Sequence, residues 1–229
     1  MIILLSPSKT FSNTKIKGNS SPIFKSKELE LRGRLKSFGL PLIKKHFNIS
    51  DKLANEVYNY YQSKEESVAA IELYEGVQFK ELKHEELNFK DNNLYIISAL
   101  YGLLRPFDNV CKYRLDFNFK ALGNLYNYWR NDIKDYLESK YNNKPIINLA
   151  SKEFHPLFKD LNNVINIEFV SENNKRISSV LLKQLRGNLA RLIINKNIKT
   201  INELKELTVK EFKYNTYLSS EKVLYFTKS

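Results

Sequence analysis

The chain has 229 residues, 42% hydrophobic and 13% aromatic, and its 37 Lys and Arg against 25 Asp and Glu give a net charge of +12 and a pI near 9.5. That length and apolar content exclude a disordered chain and allow one large domain or two small ones. The lone Cys111 excludes an internal disulfide framework, and no run of about 18 apolar residues exists to cross a membrane.

The opening "MIILLSPSK" has too short an apolar run and no basic leader for a signal peptide, so a cytoplasmic location is expected. "IILL" (2–5) reads as a buried strand and is followed at once by Ser6. Residues 12–26 are polar and turn-rich, and read as a long loop. Residues 40–62 divide into two short helices, about 40–47 and 51–62, joined by a turn at Asn48 to Ser50. Ser50 suits the cap of the second helix and Asp51 its positive end. The outline is that of a helix-hairpin-helix, which offers backbone amides and lysines such as Lys52 to DNA phosphates, although the usual hairpin glycine is missing. An ordinary helical hairpin fits the same residues.

"LYII" (94–97), "PIINLA" (145–150) and "VINIEFV" (164–170) read as further buried strands, the first two leading into Ser98 and Ser151. Helices are expected over 122–140 and 177–195, and "KYNTYLSSEKVLYFT" (213–227) reads as a terminal β-hairpin. Strands alternating with helices predict a mixed α/β domain, a central sheet flanked by helices. If the strands are parallel, the loops after 5, 97 and 150 converge at their carboxyl ends, where such sheets place their sites.

Between these elements, "SALYGLLRPFDNVCKYRLDF" (98–117) mixes Arg105, Asp108, Arg114 and Asp116 with large apolar side chains. Buried charges need partners, so either the arginines point into an anion-binding cleft, their guanidinium planes held by Asp108 and Asp116 with Tyr101 and Tyr113 behind, or the four charges form a closed ion-pair network. On a helical wheel of 177–194, Leu181, Leu182, Leu185, Leu189, Leu192 and Ile193 fall on one side. Arg176, Lys183 and Gly187 fall on the other, flanked by Arg186 and Arg191. Gly187 inside a helix predicts the close approach of another backbone or of a ligand.

Only eight arginines occur, and five of them lie in these two segments. Guanidinium offers phosphate a flat bidentate fork. The charge excess thus points to nucleic acid, against the plainer alternative of a solvated lysine coat. For an enzyme acting on a nucleotide, the candidates are Ser6, Lys9, Tyr101, Arg105 and Asp108, with Ser6-x-x-Lys9 as a nucleophile and its base. His46, His84 and His155 are scattered, no Gly-rich phosphate loop is present, and neither metal nor cofactor is expected.

These blocks, taken in order, resemble the YaaA family of bacterial peroxide-stress proteins. The likeness runs from "ILLSPSKT" (3–10) through "FNISDKLA" (47–54), "YEGVQFKEL" (74–82), residues 98–117, "LYNYW" (125–129) and "INLASKEF" (147–154) to "LLKQLRGNLARLII" (181–194). It implies a cytosolic protein that limits oxidative, iron-dependent damage under hydrogen peroxide and binds DNA without sequence preference. That binding would use the hairpin at 40–62 and a positively charged cleft. Carried over, the cleft is lined by Lys9, Arg105, Arg114, Lys183 and Arg186; Lys52 and Gly187 are further anion-binding candidates from the residues themselves, with Asp108, Tyr113, Asp116, Asn148, Ser151 and Glu153 as their expected supports. Asn118 departs from the glycine expected after Asp116 and Phe117. A thiol peroxidase is not expected, because Cys111 has no resolving partner in the chain.

Overall fold

The computed structural model describes residues 1–63, 66–87, 89, 93–142, 144–171 and 177–228; Arg176, counted above with the basic helix, lies outside them. The first half contains β1 (Ile2–Leu5), α1 (Lys25–Lys36), α2 (Leu40–Phe47), α3 (Asp51–Gln62), β2 (Val68–Ala69), α4 (Ala70–Leu73) and α5 (Val77–Leu82). Then come β3 (Leu94–Ser98), β4 (Gly102–Leu104), β5 (Asn109–Val110), α6 (Leu125–Tyr141), β6 (Ile146–Asn148) and β7 (Val164–Ser171). The chain ends in α7 (Ser179–Asn195), α8 (Ile201–Lys205), β8 (Thr208–Val209), β9 (Phe212–Asn215) and β10 (Val223–Lys228).

One eight-stranded sheet, ordered β4-β3-β1-β6-β7-β10-β9-β8, runs through the core, with helices flanking it. The five central strands are mutually parallel and the outer ones antiparallel. β1, β3 and β6 are buried at every residue. That is why they read in the sequence as unbroken apolar runs, for a parallel strand covered on both faces has no polar side to alternate with. β9 and β10 form the expected C-terminal hairpin.

Side-chain caps set where the predicted helices begin. Asn124 accepts from the Asn127 N–H, so α6 starts at Leu125 rather than at 122. Ser178 does the same for Leu181 and starts α7 at Ser179. Ser50 accepts from the Leu53 N–H at 3.5 Å and opens α3 as expected. Asn48, between α2 and α3, carries a φ of 49°, the left-handed turn for which a hairpin glycine is usually used.

The chain order of the strands creates the crevice. The chain passes from β1 to β3 on one side of it and later to β6 on the other. The loops after these three strands therefore diverge and leave a gap above their carboxyl ends.

α7 is buried on two sides rather than one. Leu185, Leu189 and Ile193 are buried, as the apolar stripe requires, but so are Arg186 and Gly187 on the side expected to be a basic face. α5 covers that side. A Cβ on Gly187 would stand 2.1 Å from the Gln78 backbone carbonyl oxygen, so the residue allows two helix backbones to cross in contact. In Gly187→Ala the gain of about 1 kcal/mol in helix propensity is outweighed by overpacking against an immovable carbonyl, for a net loss of about 1–2 kcal/mol. Urea denaturation should record a lower midpoint; an unchanged or higher one would contradict this account of the crossing.

Candidate functional site

The gap above β1, β3 and β6 is a cavity of about 420 Å³. Its floor is the turn Ser6–Phe11 after β1, Ala99 after β3, and Ser151, Glu153 and Phe154 after β6. Leu53, Glu56 and Tyr60, spaced three and four apart on α3, supply one wall. α5 with Lys183 and Arg186 of α7 supplies another, and residues 113–117 close the site.

Hydrogen bonds tie these pieces together. The Ser151 N–H donates to Ser6 Oγ at 3.0 Å, and Ser151 Oγ donates to Glu153 at 2.9 Å. A Cβ on Gly76 would meet Ser8 Oγ at 2.4 Å, so glycine is what lets the segment before α5 close on the β1 turn. Lys9 reaches Asp116 at 2.8 Å across 107 residues of chain, both side chains remaining substantially exposed.

The large side chains of residues 98–117 anchor the cavity wall. The Tyr113 hydroxyl is shared with Ser98 Oγ at 2.8 Å and with the Tyr74 hydroxyl at 2.7 Å, and burial pushes its pKa up to about 12. Tyr61 donates to the Arg114 carbonyl at 2.6 Å and accepts from the Arg114 N–H at 3.2 Å. The Cys111 N–H donates to Tyr101 at 3.0 Å, and Tyr101 accepts from Arg32 at 2.7 Å. The buried hydroxyls of Tyr61 and Tyr101 thus fix stretches of backbone and that of Tyr113 joins two neighbouring hydroxyls, which offsets the cost of burying them.

The expected site residues divide into two groups. Ser6, Lys9, Tyr113, Arg114, Asp116, Ser151, Glu153, Lys183 and Arg186 line the cavity. Arg105, Asp108, Tyr101, Asn148, Lys52 and Gly187 do not.

Arg105 and Asp108 are a closed ion pair. Asp108 has no exposed surface; it accepts from Arg105 Nε at 2.9 Å, from the Arg105 backbone N–H at 2.8 Å and from Ser20 Oγ at 2.8 Å. Arg105 also donates to the Ser21 carbonyl at 2.6 Å, so the pair clamps the 18–21 loop. Asp116 holds Lys9, not an arginine. Lys9 donates to that carboxylate, while Ser6 Oγ accepts from the Ser151 N–H.

Asn148 is buried between Asn166 and the Ala150 N–H, Lys52 is exposed on α3, and Gly187 serves the helix crossing. The sequence reading missed α5 and the Leu53-Glu56-Tyr60 stripe. "YEGVQFKEL" was the available signal for α5, since a glycine beside a run of mixed polarity marks a close approach.

Arg186 is the electrostatic centre of the site. It is 8% exposed, and its Nε is buried with no hydrogen-bond partner. Burial lowers its pKa, an effect only partly offset by the carboxylates of Glu168 and Glu153. A buried guanidinium without an ion pair costs several kcal/mol, which an incoming anion recovers. Lys9, Arg114, Lys183 and Arg186 stand against Glu56, Asp116 and Glu153 around the cavity. The arrangement can hold an anion at Arg186 and hydrogen-bond an uncharged group elsewhere. Among the described residues, no group of three or more His, Cys, Asp or Glu side chains is arranged to hold a metal ion.

The family model described as "Peroxide stress protein YaaA" matches residues 1–218. The chain is 33% identical over 245 residues to a UPF0246 protein of Finegoldia magna, spanning 100% of this chain and 98% of that protein. It is 32% identical over 254 residues to a UPF0246 protein of Francisella philomiragia, spanning both chains completely. A Fusobacterium nucleatum UPF0246 protein is 33% identical over 246 residues, again with 100% of this chain covered. The chain belongs to the YaaA family of peroxide stress proteins.

The clamp and the cavity are separable by mutation. Asp108→Ala leaves Arg105 and the 18–21 loop without their buried partner, and should cost about 1.5–3 kcal/mol of stability through the lost charge-assisted hydrogen bonds. Denaturant titration measures this. A loss under about 1 kcal/mol would mean that the pair is not a structural clamp.

Proposed function

We propose that the protein acts in the peroxide stress response by binding nucleic acid without sequence preference, and that the cavity at Arg186 is where it grips phosphate. The observation that carries this reading is the buried, unpartnered Arg186 Nε beside Lys183. A guanidinium fork and an ammonium set side by side suit the spread charge of a phosphate. The net charge of +12 supports a polyanion as the source of that phosphate, because it raises the rate and strength of encounter over the whole surface.

The hairpin of α2 and α3 belongs to the same reading in a secondary place. Lys45 and Lys52 are exposed there and available to a backbone running past the cavity mouth. The amino end of α3 is already served by Ser50, and Lys44 is paired with Asp51 at 2.5 Å. The hairpin thus contributes scattered charge, with the specific grip assigned to Arg186. Protection of DNA from iron-dependent oxidation would follow from occupying it, an indirect effect on iron chemistry.

A second reading is an enzyme acting on a nucleotide. It is favoured by the three carboxylates Glu56, Asp116 and Glu153 that face the cations, a mixture that a plain phosphate surface does not need. It predicts that nucleotides incubated with the protein are converted to product at a rate abolished by Glu153→Gln.

The test of the first reading is fluorescence anisotropy of labelled DNA with wild type, Arg186→Gln and Lys183→Ala/Arg186→Gln across a salt series. Loss of charge-assisted hydrogen bonds should weaken binding by about ten- to a hundredfold, and each lost phosphate contact should reduce the salt slope by about one. Variants that bind like wild type, with the same slope, would remove the cavity from the interface.

A further inference from the structure

We infer that the cavity takes a single unstacked nucleotide, its phosphate on Arg186 and its base against the aromatic walls; the inference rests on the phosphate grip proposed above and names what accompanies the phosphate. Size is the first argument. A cavity of about 420 Å³ lies within the span usual for small-molecule sites, roughly 300–1,000 Å³. A duplex, whose major groove alone is about 12 Å wide, presents paired and stacked bases that cannot enter such a space.

The walls give the second argument. Phosphate alone gains nothing from aromatic surface, and a sugar phosphate has no π-face to stack on it. This cavity has two aromatic groups. Phe11 sits 5.9 Å from Tyr113 and 6.4 Å from Tyr60, ring centre to ring centre, and Phe117 sits 5.7 Å from Phe154. Phe11 and Tyr60 are only half-buried, so ring surface remains open to the cavity. Every base has a π-face, so stacking of this kind accepts any base and adds affinity without adding sequence preference.

Polar edges complete the fit. Ser6, Gln78 and Glu56 lie among these rings and can meet the donors and acceptors on a base or sugar. Intact duplex hides the π-face and the pairing edge of each base. A free mononucleotide and an unpaired residue in a strand offer both.

Two experiments on the full chain separate the outcomes. Calorimetric titration compares dAMP, deoxyribose 5-phosphate and inorganic phosphate. Anisotropy compares one labelled oligonucleotide, single-stranded and fully paired, at one salt concentration. The expected result is that dAMP binds about tenfold tighter than deoxyribose 5-phosphate, and that Phe11→Ala removes this advantage.

A matching preference for the single strand identifies the source as an unpaired residue in a polymer. Tight dAMP binding with no strand preference identifies it as a free nucleotide. Equal affinity for dAMP and deoxyribose 5-phosphate in wild type overturns the inference without relying on any variant. If DNA binding is still lost in Arg186→Gln, only the nucleotide assignment has failed. If Arg186→Gln binds DNA like wild type, the phosphate grip has failed with it.

Discussion

The crossing of α5 over α7 at Gly187 sets the terms for the whole site. Because no side chain stands between the two backbones there, α5 lies flat on what would otherwise be the outer face of α7. Arg186, the adjacent residue, is left 8% exposed, with its Nε buried and without a hydrogen-bond partner. Without α5 it would be one more solvated cation in a basic chain. With α5 in place it is a buried charge aimed at a cavity, and the cavity has a second wall. The same short helix brings Gln78 to the β1 turn, where its side chain donates to the Ser6 carbonyl at 3.3 Å. One close contact between helices therefore shapes the cavity and charges it.

A second constraint holds the opposite wall. Residues 98–117 carry charges and aromatics in a density that invites a functional reading, and half of that density is structural. Arg105 and Asp108 neutralise each other and fasten the 18–21 loop, while Tyr101 and Tyr113 spend their hydroxyls on backbone and on neighbouring side chains. What reaches the cavity from this segment is Ala99 and residues 113–117, with Arg114 and Asp116 its charged groups. A buried ion pair is poor evidence for a binding site, because satisfied charges have little left to offer a ligand. A buried charge that is not satisfied is better evidence. That contrast separates Arg105 from Arg186, two residues that look alike in the sequence.

The sheet was legible because its central strands announce themselves. "IILL", "LYII" and "PIINLA" are short, apolar but for Asn148, and followed by serine, and each became a buried parallel strand whose following loop lines the site or lies beside it. The apolar stripe of α7 was legible for the same reason, since periodicity reports what faces a core. What periodicity cannot report is whether the other face is covered as well. Gly187 was the one hint, and it allowed two occupants, a backbone or a ligand; the backbone of α5 is the one present. The α3 wall was hidden for a different reason. Leu53, Glu56 and Tyr60 are unlike one another, and only their spacing and the fold bring them to one surface.

The outer strands of the sheet carry a consequence for how the protein behaves at high concentration. β4 has three residues and β8 has two, and both pair antiparallel with longer neighbours. β4 begins at Gly102, whose φ of 74° turns the backbone sharply, and β8 ends beside Lys210, also at positive φ. An open edge is a template on which a foreign strand can add, and its hazard grows with its length and flatness. Here neither rim offers more than a few consecutive unpaired groups. The five central parallel strands, the most apolar and most self-adhesive part of the chain, are thus shielded within their own sheet. A chain that meets oxidative injury, in which neighbouring proteins unfold and expose strands of their own, gives them little to attach to.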